Sequence, residues 1–108
     1  MIMTRLTFDL QDNSEKQLVN VFKTHGIFDL AIDVPGCQSL YMVQSEVPNR
    51  VEVIGIWESP DSYRGWLEHP KRGVATDDIA SLIAKNWDAE KPGAQLEVLL
   101  AKSRGGGV

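Results

Sequence analysis

One cysteine in 108 residues means that no disulfide can form within the chain. Its fold must rest on packing alone. Cys37 is read as a small apolar residue, because a reactive thiol wants a cationic neighbour or a helix N-terminus and neither is evident. Histidine is scarce too. His25 and His69 lie in separate segments, and no His/Cys/carboxylate cluster has ligand spacing, so no metal site is expected. No glycine-rich loop follows a strand, which excludes the usual nucleotide and flavin fingerprints, so no cofactor is expected. Neither Cys37 nor any serine stands in a nucleophile motif. Positive charge is in deficit, with 11 Lys+Arg against 15 Asp+Glu and a net charge of −4. That balance argues against partners with phosphate backbones or anionic membranes. No apolar run approaches membrane-spanning length, and the N-terminus lacks the charged region and apolar core of a signal peptide. With the lone thiol, these absences predict a cytoplasmic protein.

What is present is an ordinary globular composition, 43% hydrophobic and 24% charged. One domain over residues 1–103 is expected, followed by a disordered tail over 104–108. Met1 to Leu10 alternates, with Ile2, Leu6, Phe8 and Leu10 on one face, and reads as a strand. Asp12-Asn13-Ser14-Glu15 starts a helix expected from about Ser14 to Ala31, weakened or bent at Gly26. Pro35-Gly36 ends it. Cys37–Glu46 and Val51–Trp57 are strands joined by a hairpin loop at 47–50. Ser59 is an N-cap candidate, Pro60 suits the first helical position, and Pro70 closes a short helix. Thr76-Asp77-Asp78 starts another, with Ile79, Leu82, Ile83 and Trp87 on its apolar stripe. After Pro92-Gly93, Gln95–Lys102 is the last strand.

Strand, helix, strand, strand, helices, strand is an α+β, ferredoxin-like order, an antiparallel sheet with helices on one face. The middle strands are apolar on both faces, yet helices cover only one. A second copy of the sheet is the simplest cover for the other, which predicts a homodimer.

Chemistry has few places to reside. Trp57, Phe22 and Trp87 are expected in the core. Tyr63 and Trp66 stand at i and i+3 on the short helix, so they share a face and form a natural pocket wall with polar tips. Phe28, on the first helix, joins them as a candidate substrate-binding residue. His25 lies on the apolar stripe of the first helix. It is either a packed histidine or a neutral imidazole acting as a base near pH 7. His69 is expected to be solvated.

The Val34-Pro35-Gly36-Cys37 strand opening, the Trp57-Glu58-Ser59-Pro60 strand exit and the apolar last strand resemble the antibiotic biosynthesis monooxygenase family, over roughly Met3 to Lys102. The resemblance implies a dimeric α+β barrel with a cavity between helices and sheet. It also implies oxidation of quinols or polycyclic phenols by dioxygen without metal or flavin. On that reading a hydrophobic aromatic small molecule is the partner. Trp66, Tyr63 and Phe28 orient its rings, and His25 or Tyr41 takes or stabilises the proton. The short-helix histidines of quinol-oxidising relatives are replaced here by Trp66 and Lys71. Haem-degrading relatives share the tryptophan at Trp66, but their axial histidine, near Ala75, and their asparagine, near Leu6 or Thr7, are not in this chain. A non-catalytic dimeric binding module is the alternative, and haem binding or degradation a third.

Overall fold

The computed structural model describes residues 1–85 and 87–105; residues 106–108 of the expected tail lie outside them. The elements run β1 (Ile2–Asp9), α1 (Glu15–Thr24), α2 (Ile27–Ile32), β2 (Cys37–Gln44), β3 (Arg50–Trp57), α3 (Pro60–Leu67), α4 (Thr76–Ala80) and β4 (Ala94–Glu97). The sheet order is β2-β3-β1-β4 and every pairing is antiparallel. This is the α+β ferredoxin-like arrangement expected from the order of elements.

Alternation along β1 decides which face meets the helices. Ile2, Thr4 and Phe8 are buried beneath the helical layer, and the facing residues of β3, Val51 and Trp57, are buried too. Phe8, Leu10, Leu18, Ile27, Val51, Ala75 and Ile79 form one core cluster. Ile2, Val34, Trp57 and Tyr63 form a second. Trp57 is 1% exposed, and its indole N–H donates to Thr4 Oγ1 at 3.0 Å, so its polar atom is satisfied. Pro60 opens α3 and the Ser59 hydroxyl accepts the Ser62 N–H, the cap expected from the sequence.

Three expectations need correction. The long first helix is two helices, because Gly26 sits in the left-handed region at φ 61° and redirects the chain between α1 and α2. The fourth helix stops at Ala80 rather than running on to Trp87. Past it the backbone is taken up by the end of β1. Gln11 N–H donates to Leu82 O, Ala84 N–H donates to Asp9 O, and Ile83 bridges Leu10. Apolar spacing alone could not foresee that competing partner. The last strand, expected over 95–102, spans only Ala94–Glu97. Its register sets Glu97 opposite Ile2, the residue at which β1 starts, and Val98 N–H donates to Met1 O just beyond the paired strands. Leu99 and Leu100 are left 87% and 91% exposed.

The other sheet face carries Met3, Ile54, Ile56, Tyr41, Val43 and Leu96, which the pairing registers place together. No helix covers it. Tyr41 is 54% exposed there.

Candidate functional site

A cavity of about 330 Å³ lies between the sheet and the helices. That is near the low end of the roughly 300–1,000 Å³ typical of small-molecule sites. Leu6, Phe8, Leu40 and Val53 form its floor, Phe22, Ile27, Phe28 and Ala31 one wall, and Tyr63, Trp66 and Leu67 another. The first wall exists because of the break at Gly26. Redirecting the chain brings Phe28 edge-on to Phe22, with ring centroids 5.7 Å apart and planes at 86°. Phe22 in turn stands edge-on to Phe8 at 6.1 Å. Trp87, also in the lining, lies 6.0 Å from Phe8.

α3 supplies the second wall. Tyr63 is 5% exposed and packs against Trp57 at 5.2 Å. Its oxygen accepts the Gly93 N–H at 2.8 Å, which ties the segment before β4 to α3. Its own O–H stays available to donate. Burial pushes the Tyr63 phenol above its ordinary value, against smaller opposing effects from the Gly93 N–H and the Arg72 charge. At neutral pH it is therefore a donor and not a base.

The polar part of the lining is small and comprises His69, Arg72, Thr76 and Glu90 beside Tyr63 and Trp66. His69 packs against Trp66, with ring centroids 5.5 Å apart and planes tilted by 44°. Its Nδ1 accepts the Lys71 N–H at 3.0 Å. An imidazole that accepts at Nδ1 carries its proton on Nε2 when neutral. His69 thus offers an N–H to the cavity, not a lone pair. Thr76 spends its hydroxyl on Gly73 O at 2.9 Å. Among the described residues, Glu90 is the only carboxylate in the lining.

The residues singled out from the sequence divide cleanly. Trp66, Tyr63 and Phe28 come together in the cavity walls. His25 and Tyr41 are not among the residues that line it. His25 Nε2 lies 2.8 Å from Asp78 Oδ2, joining α1 to α4. Tyr41 projects from β2 on the uncovered sheet face, opposite Ile54. β2 alternates, so Leu40 reaches the cavity and its neighbour Tyr41 does not. Three lining residues carry another expectation in the sequence: Phe22 and Trp87 as core, against which they do pack, and His69 as solvated. Arg72 has no sequence signal that singles it out. The i+3 spacing of Trp66 and His69 was the available signal for the histidine. Cys37 is half-buried, and burial raises its thiol above the ordinary value, in keeping with a packing role.

Among the described residues, no group of three or more His, Cys, Asp or Glu could hold a metal ion. No helix among them is long and apolar enough to cross a membrane.

No family model and no curated protein matches the chain. Solved structures do. A candidate antibiotic biosynthesis monooxygenase from Nitrosomonas europaea is 15% identical, with 93% of this chain and 100% of that one covered and a TM-score of 0.73. A second such protein, from Deinococcus radiodurans, is 15% identical over 98% of this chain and 100% of that one, with a TM-score of 0.73. SnoaB, a cofactor-independent oxygenase from Streptomyces nogalater, is 14% identical over 93% and 94% of the two chains, with a TM-score of 0.69. The chain has the fold of the antibiotic biosynthesis monooxygenase-type structures, and its aromatic cavity lies between the two layers of that fold.

Proposed function

We propose that the protein is a monooxygenase that oxidises an aromatic phenol, quinol or anthrone-like molecule with dioxygen. The observation that carries this reading is the cavity itself, a compact space walled by Phe22, Phe28, Tyr63 and Trp66 with few polar groups. Such walls hold a flat ring system by stacking and edge contacts and keep water away from it. The likeness to SnoaB, a cofactor-independent oxygenase, supports the same kind of chemistry. An electron-rich carbanion or phenolate can itself pass an electron to dioxygen. For an anthrone-like substrate, a ring methylene loses a proton and the carbon bonds to oxygen. The resulting peroxide then loses water to leave a carbonyl. One oxygen atom enters the product and the other leaves as water. The protein's task is to take the proton, orient the ring and stabilise the anion.

The proton acceptor is Glu90 in this reading. His69 presents an N–H, and Tyr63 keeps its proton at neutral pH. His25 and Tyr41 stand outside the lining, so they do not serve here. A second copy of the chain covers the apolar sheet face, where Met3, Tyr41, Val43, Ile54, Ile56 and Leu96 gather, and makes a homodimer.

The test uses a panel of quinols and anthrones with isotopically labelled dioxygen. Label entering product above autoxidation, and lost in the Trp66→Phe and Glu90→Gln proteins, supports the enzyme and its site. Incorporation untouched by both substitutions refutes the assignment. A second reading, a non-catalytic binding module, is favoured by the position of His25 and Tyr41 away from the cavity. Ligand-dependent thermal stabilisation with no oxygen consumption would mark it, about 2.7 kcal/mol at a hundredfold excess over Kd. Haem ligation does not suit the lining, because the Lys71 N–H on Nδ1 places the His69 proton on the nitrogen that would have to bind iron.

A further inference from the structure

The polar groups of the cavity are unequal in sign and in engagement. Arg72 lines the cavity and is half-buried. Among the described residues it has no ion-pair partner within 4.0 Å. The basic side chains Arg5 and Arg50 pair with Glu52 and Asp9, and Arg64 pairs with Asp61. Arg72 is also close enough to the Tyr63 phenol for its charge to act on it. On the same rim His69 is oriented by two contacts, the Trp66 ring and the Lys71 N–H, which leave Nε2–H as its free polar atom. Glu90 shares the lining but does not neutralise Arg72.

We infer that the ligand of this cavity is an anionic amphiphile, an aromatic body in the apolar walls and one negatively charged oxygen group held by the Arg72 guanidinium and the His69 Nε2–H. The inference rests on the cavity being the ligand site, as proposed above. A guanidinium and an N–H donor together match the lone pairs of one negatively charged oxygen group, which a neutral hydrocarbon ring does not offer. Removal from bulk water strengthens both bonds. The negative oxygen belongs either to a carboxylate or to an ionised phenol or enol. The walls serve both equally, and only the head group differs.

The test compares three probes with a naphthalene body at neutral pH. They are naphthoate, a carboxylate; dinitronaphthol, an ionised phenol; and naphthylmethanol, which is uncharged. The purified chain is titrated with each and Kd is read by calorimetry. At least one anion is expected to bind about tenfold or more tighter than the alcohol. Arg72→Gln should remove that preference while leaving the alcohol's Kd unchanged, and Arg72→Lys should restore part of it. The tighter of the two anions identifies the head group. Equal binding of all three probes, or a preference that survives Arg72→Gln, overturns the inference. Filling the cavity with Ala31→Leu, or with Leu40→Phe if the first does not fold, tests the reading beneath it. If the alcohol binds as well as before, or none of the probes binds the unaltered protein, the cavity is not the ligand site and both proposals fall.

Discussion

Tyr63→Phe removes one oxygen atom and tests how the cavity is closed. That oxygen accepts the Gly93 N–H at 2.8 Å, and both residues are buried. Phenylalanine fills nearly the same space, so packing against Trp57 is retained. The cost comes from a buried N–H left without an acceptor, about 1–3 kcal/mol. With a urea m-value of roughly 1.5 kcal/mol/M, the midpoint should fall by about 0.7–2 M. The same bond also predicts a pH dependence. Below about pH 10, the ordinary range for tyrosine, the phenol is protonated in both folded and unfolded chains. Burial raises the folded value. As pH rises past the ordinary value, the unfolded chain loses this proton while the folded chain keeps it. The unfolded state then binds fewer protons, so the stability of the unaltered protein declines with pH until the folded phenol ionises as well. Phenylalanine has no proton to lose. The difference in urea midpoint between the two proteins should therefore be full at neutral pH and narrow above about pH 10. An unchanged midpoint at neutral pH would refute the structural role of the bond. A difference that stays constant across the alkaline range would refute the account of the phenol's environment.

Four further outcomes are expected. Gly36 has φ 89°, and a Cβ there would stand 2.0 Å from Ser62 Oγ and 2.6 Å from Ser62 Cβ. Gly36→Ala should therefore cost about 2–5 kcal/mol in urea unfolding, combining backbone strain with overpacking. At Gly65, where the nearest atom is Val34 Cγ1 at 3.2 Å, alanine should change stability by under about 1 kcal/mol. His25→Ala removes the 2.8 Å contact between His25 Nε2 and Asp78 Oδ2, whose side chains are 26% and 61% exposed. It should lower stability by under about 1 kcal/mol and leave turnover intact, and a large loss of kcat would return His25 to the site. Light scattering should give a mass near twice 12.0 kDa, returning to 12.0 kDa in Ile54→Glu. A mass of 12.0 kDa for the unaltered protein at high concentration would remove the dimer.

The order of elements was legible because period-two alternation in β1 and β3 and the punctuation at Pro35-Gly36, Ser59-Pro60 and Pro92-Gly93 are local signals. Trp66 and Tyr63 were legible as a pocket wall for the same reason, since i and i+3 on a short helix share a face whatever lies opposite. His25 looked equally promising on its helical stripe. Yet that stripe turns toward α4 and Asp78, a contact between residues 53 positions apart. The lengths of α4 and β4 were hidden for a related reason. Apolar spacing continues to Trp87 and to Leu100, but regular structure continues only while a partner is present. Beyond Ala80 the end of β1 takes the backbone hydrogen bonds, and Glu97 already stands opposite Ile2, where β1 starts.

Local chemistry in the chain was thus enough to determine strand faces, helix starts and the aromatic wall of α3, because neighbours in sequence carry those signals. Tertiary structure alone decided that Phe28 meets Phe22 across the break at Gly26. It decided that Tyr63 is bonded to Gly93, and that Arg72 enters the cavity free of an ion pair among the described residues. Each of these depends on the distance between elements that only packing brings together, and no spacing along the chain encodes that distance.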